Sequence, residues 1–179
     1  MREHLQAFAR LGVEAIPVRT PEEVAAVEAL VLPGGESTTI GKLMVRYGLR
    51  EPILELAASG RPLLGTCAGM ILMAKDIRGG IPDQPSLGVM DIAVQRNAFG
   101  RQVDSFECDL RFAGIEDGGT RAVFIRAPII LSVGKDVQVL AEHEGQVVAA
   151  RQGNLLVLSF HPELTSDARI HGYFLGMRG

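Results

Sequence analysis

Along the chain, hydrophobic positions switch repeatedly between a helical period and unbroken apolar runs. Residues 2–11 set Leu5, Phe8, Ala9 and Leu11 near helical spacing, with Gly12 behind them as a C-cap. Residues 13–18 read as a strand. Thr20-Pro21-Glu22-Glu23 supplies an N-cap with proline in the first turn, and residues 24–27 continue as a short helix. Ala29-Leu30-Val31-Leu32 is apolar at every position, as a parallel strand covered on both faces requires. It runs into Pro33-Gly34-Gly35-Glu36-Ser37-Thr38, beyond which a helix extends through Leu43, Met44 and Tyr47. A further helix is predicted over 52–58, and after Gly60 comes another unbroken apolar strand. The first third therefore reads β-α-β-α-β, which implies a parallel sheet with right-handed crossovers.

The pattern then changes. Residues 77–88 hold Gly79-Gly80, Pro82, Pro85 and Gly88 and read as a loop. Short strands follow over 92–95, 106–112, 122–125, 137–141, 147–150 and 155–160, with Glu144-Gly145 as the turn between two of them. A closing helix over 167–177 puts Ile170, Phe174 and Met177 on one face. The chain shows no repeat, linker or low-complexity segment.

Composition narrows the class. The 179 residues suit a single domain, here read as 1–179, and the 47% hydrophobic and 22% charged content is ordinary for a globular protein. Abundant Gly (21) with few aromatics (5%) fits an α/β protein with many tight turns. A net charge of −3 without a basic cluster argues against nucleic acid. The two cysteines, Cys67 and Cys108, form neither a C-x-x-C nor a metal-ligand spacing, so a reducing, cytoplasmic setting fits and a metal does not. No apolar run approaches the roughly 18 residues that span a bilayer, and Met1-Arg2-Glu3-His4 lacks a signal peptide's apolar core.

Candidate chemistry begins at Pro62-Leu63-Leu64-Gly65-Thr66-Cys67-Ala68-Gly69-Met70, a buried strand that meets a cysteine framed by glycines and turns helical. This is the arrangement of a nucleophile elbow. The nucleophile sits at a sharp apex, the glycines let strand and helix approach, and the sulfur lies at the positive end of the helix. Cys108 has no such frame. It alternates with charged residues alongside Phe106, Leu110 and Phe112, which makes it a core cysteine on a strand.

Of the four histidines, His161 stands out because it leaves the apolar strand 155–160 at its end, where α/β proteins place ligands. In His161-Pro162-Glu163, residues two apart on an extended chain point the same way, so Glu163 can orient His161 while His161 takes the thiol proton of Cys67. His4 and His171 read as helix-surface residues, and His143 sits beside a hairpin turn. Gly34-Gly35 follows a strand with free backbone N–H groups and, with the N–H of Ala68, can form an oxyanion hole. A phosphate-binding loop is excluded there, because Gly41-Lys42 is followed by Leu43 rather than Ser or Thr.

Together, Pro33-Gly34-Gly35-Glu36-Ser37-Thr38, Gly65-Thr66-Cys67-Ala68-Gly69 and Phe160-His161-Pro162-Glu163 resemble the triad-type, class I glutamine amidotransferases. Arg96-Asn97-Ala98-Phe99-Gly100-Arg101-Gln102, Ser105-Phe106-Glu107 and Phe124-Ile125-Arg126-Ala127-Pro128 narrow the resemblance to the glutaminase subunits of pyridoxal 5′-phosphate synthase. The match runs through nearly the whole chain in order. It implies a three-layer α/β/α, flavodoxin-like fold with a mostly parallel central sheet and an added antiparallel portion. It also implies hydrolysis of L-glutamine to L-glutamate and ammonia through a cysteine thioester, the ammonia passing to a separate (β/α)₈ synthase subunit in a hetero-oligomeric complex. No cofactor is expected on this subunit. The resemblance makes Cys67 the nucleophile, His161 the general base and acid, and Glu163 its orienter. It puts Gly34, Gly35, Glu36, Arg96, Ile125 and Arg126 in the glutamine site. A guanidinium holds a carboxylate by two parallel hydrogen bonds, which suits Arg96 as a clamp; for Arg126 the backbone is expected to matter more than the charge.

One departure lies at the start. The family opens with an apolar strand and a short Gln-Gly loop before its Arg-Glu-His, whereas here Met1 directly precedes Arg2-Glu3-His4. The first strand is therefore expected to be missing. Two rival readings are a cysteine peptidase or deglycase on the same elbow, which usually lacks a late His-Pro-Glu strand end, and a non-catalytic binding subunit, which would not need the triad residue types.

Overall fold

A computed structural model describes residues 1–81, 83–96, 105–116 and 118–177. Its centre is a mixed sheet. Strand β1 (Leu30–Leu32) lies parallel to β2 (Leu63–Thr66), and β2 lies parallel to β10 (Leu155–Leu158), with Leu63 opposite both Leu30 and Leu155. From β10 the sheet continues antiparallel through β9 (Gln146–Gln152), then β7 (Ile129–Val133) and β4 (Met90–Gln95), and ends in β3 (Ala74–Arg78), parallel to β4. Strand β8 (Gln138–His143) pairs with β9 through the Glu144-Gly145 turn, where both residues have positive φ. A separate antiparallel ladder joins β5 (Ser105–Leu110) to β6 (Thr120–Ile125).

The central strands are apolar on both sides because both sides are covered. Alternate residues of β2 and β10 enter two different cores: Leu63, Leu155 and Val157 pack into one, Leu64, Leu156 and Leu158 into the other. The first core also takes Val24 of α2 (Pro21–Ala26), Met44 of α3 (Ser37–Arg46), Ile53 and Leu56 of α4 (Arg50–Ala58), and Met70 and Met73 of α5 (Ala68–Met73). The second takes Phe8 of α1 (Arg2–Arg10) and Ile170 and Phe174 of α6 (Arg169–Leu175). A helical layer thus lies on each face of the sheet. Each fully buried leucine of these strands contributes about 1.5–3 kcal/mol of burial. Among the described residues, no helix is long and apolar enough to cross a membrane.

Most expected elements form, several with the expected caps. Thr20 and Glu23 make a reciprocal capping box ahead of α2, and Ile170, Phe174 and Met177 are all buried. Cys108 sits in β5 on its more buried, alternating face. Three readings need correction. Residues 13–18 form no strand, since among the described residues none pairs with them and apolar content alone does not supply a ladder. Residues 74–78 and 129–133 do form strands, β3 and β7, although most of their side chains are exposed or half-buried. Both take their ladders from β4, a tertiary neighbour that local hydrophobicity does not reveal.

Because β1, β2 and β10 are parallel and in register, their C-terminal ends open on one edge. Gly34, Cys67 and His161 all follow those ends, each within three residues of its strand.

Candidate active site

Cys67 is the residue between β2 and α5, at φ 50° and ψ −103°. A non-glycine residue held in this region carries roughly 1–3 kcal/mol of strain, which the surroundings must fix. Here the Cys67 N–H donates to the Leu158 carbonyl at 2.8 Å, and the Cys67 carbonyl accepts from the Ile71 N–H at 3.3 Å. The flanking glycines are a steric requirement. A Cβ on Gly65 would lie 2.6 Å from the Gly69 carbonyl carbon, and one on Gly69 would run into the Leu32 carbonyl oxygen. Only 8% exposed, Cys67 points its Sγ toward the Ile125 carbonyl oxygen, 3.8 Å away. Ala68, at the first position of α5, has no intrahelical acceptor for its N–H.

His161 is anchored by its own N–H, which donates to the Val123 carbonyl at 2.8 Å. Its Nδ1 lies 2.8 Å from Oε1 of Glu163, and the ring interacts electrostatically with the Cys67 side chain. The chain is not extended here: Pro162–Leu164 form a 3₁₀ turn, and that turn, rather than strand alternation, brings Glu163 back to the ring. Burial disfavours the imidazolium, but the Cys67 and Glu163 side chains outweigh it and push His161 up to about 9. Burial works against the Glu163 carboxylate as well, yet the His161 hydrogen bond and the nearby His4 hold it below the usual carboxylate range. On another side, His161 packs against Gly34, where its Cε1 fills the space a Cβ would need.

His4 and His171 are not surface residues. They are 4% and 0% exposed, and His4 Nδ1 meets His171 Nε2 at 3.0 Å. His4 Nε2 stands 3.4 Å from Glu163 Oε1 and 3.5 Å from the Thr66 hydroxyl. The spacing held the signal: His4 precedes Phe8 by four positions and His171 precedes Phe174 by three, which puts both histidines on the apolar faces of their helices.

The Glu36 carboxylate caps α3, accepting from the backbone N–H groups of Thr38 and Thr39 and from the Thr39 hydroxyl. Those bonds, the Thr39 hydroxyl foremost, lower it to about 2. Arg96 reaches across to it, with Nη2 donating to Glu36 Oε1 at 3.1 Å and Nη1 to Gln84 Oε1 at 2.9 Å. Gln84 in turn donates to the Ser37 hydroxyl at 3.2 Å, so it ties Arg96 to the start of α3. The reading of 77–88 as a bare loop misses Gln84, which has no periodic or motif signal of its own. Ile125 meets the site through its carbonyl, and Arg126 follows at φ 45°. The rest of the Arg96–Gln102 motif lies outside the described residues.

A cysteine at a strained strand-to-helix turn, a histidine at a neighbouring strand end and a carboxylate behind it form the arrangement used by cysteine-nucleophile hydrolases on an α/β sheet. The sequence profile of the SNO glutamine amidotransferase family matches residues 1–178, and the chain belongs to that family. The pyridoxal 5′-phosphate synthase subunit PdxT of Carboxydothermus hydrogenoformans is 56% identical over 174 residues, which span 97% of this chain and 90% of that protein. PdxT of Herpetosiphon aurantiacus is 56% identical over 177 residues, covering 98% and 93%. A crystal structure of a glutamine amidotransferase matches with a TM-score of 0.94 at 51% identity, covering 99% of this chain and 93% of that one. PurLQS of Thermotoga maritima, 16% identical with a TM-score of 0.73 over 98% of this chain and 91% of its own, shares the fold. The architecture is thus the class I glutamine amidotransferase fold.

Proposed function

We infer that the chain is the glutaminase subunit of a pyridoxal 5′-phosphate synthase. It hydrolyses L-glutamine to L-glutamate and ammonia and delivers the ammonia to a (β/α)₈ synthase subunit for coenzyme synthesis. Identity above 50% to PdxT subunits over nearly the whole chain supports the activity and the partner. The observation that carries the mechanism is His161, whose Nδ1 lies 2.8 Å from Glu163 Oε1 and whose charge is coupled to the Cys67 side chain. Residues 1–179 act in this reading as one glutaminase domain. The cytoplasm, where thiols stay reduced, is its setting, in keeping with two free cysteines.

In the reaction, the Cys67 sulfur, its proton carried by His161, attacks the side-chain amide carbon of glutamine. The oxygen of the tetrahedral intermediate gains negative charge, which the N–H groups of Gly35 and Ala68 stabilise. The C–N bond then breaks as His161 returns the proton to the departing nitrogen, releasing ammonia and leaving a γ-glutamyl thioester. Water gives a proton to His161 and attacks the thioester carbon, the C–S bond breaks, and glutamate leaves with Cys67 restored. Glu163 stays ionised and keeps the His161 Nδ1–H directed at it, so that Nε2 faces the sulfur. Glu36 and Arg96 present an anion and a cation to the ammonium and carboxylate of a free amino acid. They pair with one another in the structure, and substrate exchanges that contact for its own charges.

The test is glutamine hydrolysis with and without a synthase subunit. Wild type should be slow alone and faster with the partner, and Cys67→Ala should be inactive in both. A glutamine-mimicking chloroketone should label Cys67 and leave Cys108 untouched, as read by mass spectrometry. Hydrolysis by Cys67→Ala near the wild-type rate rejects the mechanism, and equal rates with and without the partner reject the synthase role.

A further inference from the structure

The buried pair His4 and His171 takes no part in the chemistry above, yet it reaches both arms of the triad. Through Nε2, His4 touches Glu163, which orients the base, and Thr66, the residue before the nucleophile. Its helix is tied to the same 3₁₀ turn, since Arg10 Nη1 donates to the Thr165 carbonyl at 3.1 Å. The direction of the bonds follows from what each atom can do. An ionised carboxylate only accepts, so the His4 nitrogen facing Glu163 carries the hydrogen. His4 Nδ1 is then an acceptor, and His171 Nε2 at 3.0 Å is its donor. In this tautomer the hydrogens of His171 and His4 run toward Glu163, as that of His161 does, and two of the rings face the same oxygen, Oε1, His161 at 2.8 Å and His4 at 3.4 Å. Phe8 packs edge-on against His171 and holds that ring in place. Burial lowers both His4 and His171, which keeps the pair neutral beside the catalytic ion pair.

From this geometry we propose that His4, held in one tautomer by His171, is a positioning residue for the glutaminase reaction, fixing the Glu163 carboxylate and through it the His161 ring. The proposal rests on Cys67, His161 and Glu163 being the triad. It predicts an effect on the chemical step rather than on substrate capture, because neither histidine touches the Glu36–Arg96 end of the site.

Two variants of similar size separate positioning from packing. In His4→Gln the side-chain amide nitrogen falls where Nε2 does and reaches Glu163. In His4→Asn it stops at the Nδ1 position and reaches only His171. With the synthase subunit present and rates normalised to folded protein, His4→Gln should keep most of the wild-type kcat. His4→Asn should lose about tenfold or more in kcat with KM unchanged, the scale of one hydrogen bond to a charged group. Should His4→Asn not fold, His171→Phe reads the same coupling. It should lower kcat in the wild-type background and lower it no further in Glu163→Gln, because residues acting as one unit are not additive. A wild-type kcat in His4→Asn, an equal loss in His4→Gln, or additive losses in the double variant overturn the proposal. Cys67→Ala is run alongside: activity there overturns the triad beneath it, whereas an inactive Cys67→Ala with unaffected His4 variants removes only the positioning role.

Discussion

The Cε1 atom of His161 occupies the space in which a Cβ on Gly34 would sit. The turn after β1 and the His161 ring beyond β10 are thereby fitted to each other, although the sequence separates them by more than a hundred residues. An alanine at 34 must push the imidazole away from the sulfur. Gly34→Ala is expected to leave a folded chain, at a cost of about 1–3 kcal/mol for overpacking, while kcat falls on the order of a hundredfold from the displaced base. Steady-state kinetics and a thermal melt check the two parts separately.

The 2.8 Å contact between His161 and Glu163 sets a pH signature. Against burial, the Cys67 and Glu163 side chains favour the imidazolium and push His161 up to about 9, above its ordinary value. Proton delivery to departing ammonia needs that imidazolium, and kcat/KM should fall as pH rises through about 9. Glu163→Gln removes the charge that favours the cation, so its basic limb should move to lower pH. Its kcat should drop on the order of a thousandfold or more, since a neutral amide no longer enforces the tautomer. A pH–rate profile of both proteins reads both effects.

Arg96 spans Glu36 and Gln84 with the two arms of its guanidinium. Arg96→Lys keeps the charge and loses the fork. The loss of one charge-assisted hydrogen bond to the substrate carboxylate, roughly 1.5–3 kcal/mol, corresponds to about tenfold to a hundredfold in kcat/KM. An unchanged kcat/KM rejects Arg96 as the clamp.

His171 provides a stability signature at acid pH. Burial, with the neighbouring His4, lowers it to about 4 in the folded chain, whereas an exposed histidine titrates near 6.5. The unfolded state therefore binds the extra proton first, and stability present above about pH 6.5 is lost as pH falls toward 4. For His171 alone the full loss is roughly 3 kcal/mol. The thermal midpoint of the wild type should fall across that window, and His171→Phe, which cannot charge, should show a shallower fall.

How much was legible in the sequence follows residue type and range. The elbow was readable because its steric needs are local: Gly65, Cys67 and Gly69 lie within one turn of chain, and no other residue fits where Gly69 meets Leu32. The unbroken runs at β1, β2 and β10 announced strands covered on both faces, and with them an edge where Cys67 and His161 could meet. The capping box at Thr20 and the turn at Glu144-Gly145 were equally local. What only the tertiary structure decided depends on partners distant in sequence. β3 and β7 exist because β4 offers them a ladder, and 13–18 is not a strand because no described residue does. Gln84 matters through Arg96 and Ser37, neither of which its own neighbourhood predicts. Glu163 reaches His161 by a 3₁₀ turn that the His-Pro-Glu spacing does not specify. His4 and His171, 167 positions apart, become one buried pair because α1 and α6 pack on the same face of the sheet. Sequence pattern determines which residues prefer to be buried or to turn; which polar groups then share a hydrogen bond depends on the three-dimensional approach of elements, and no local period encodes that.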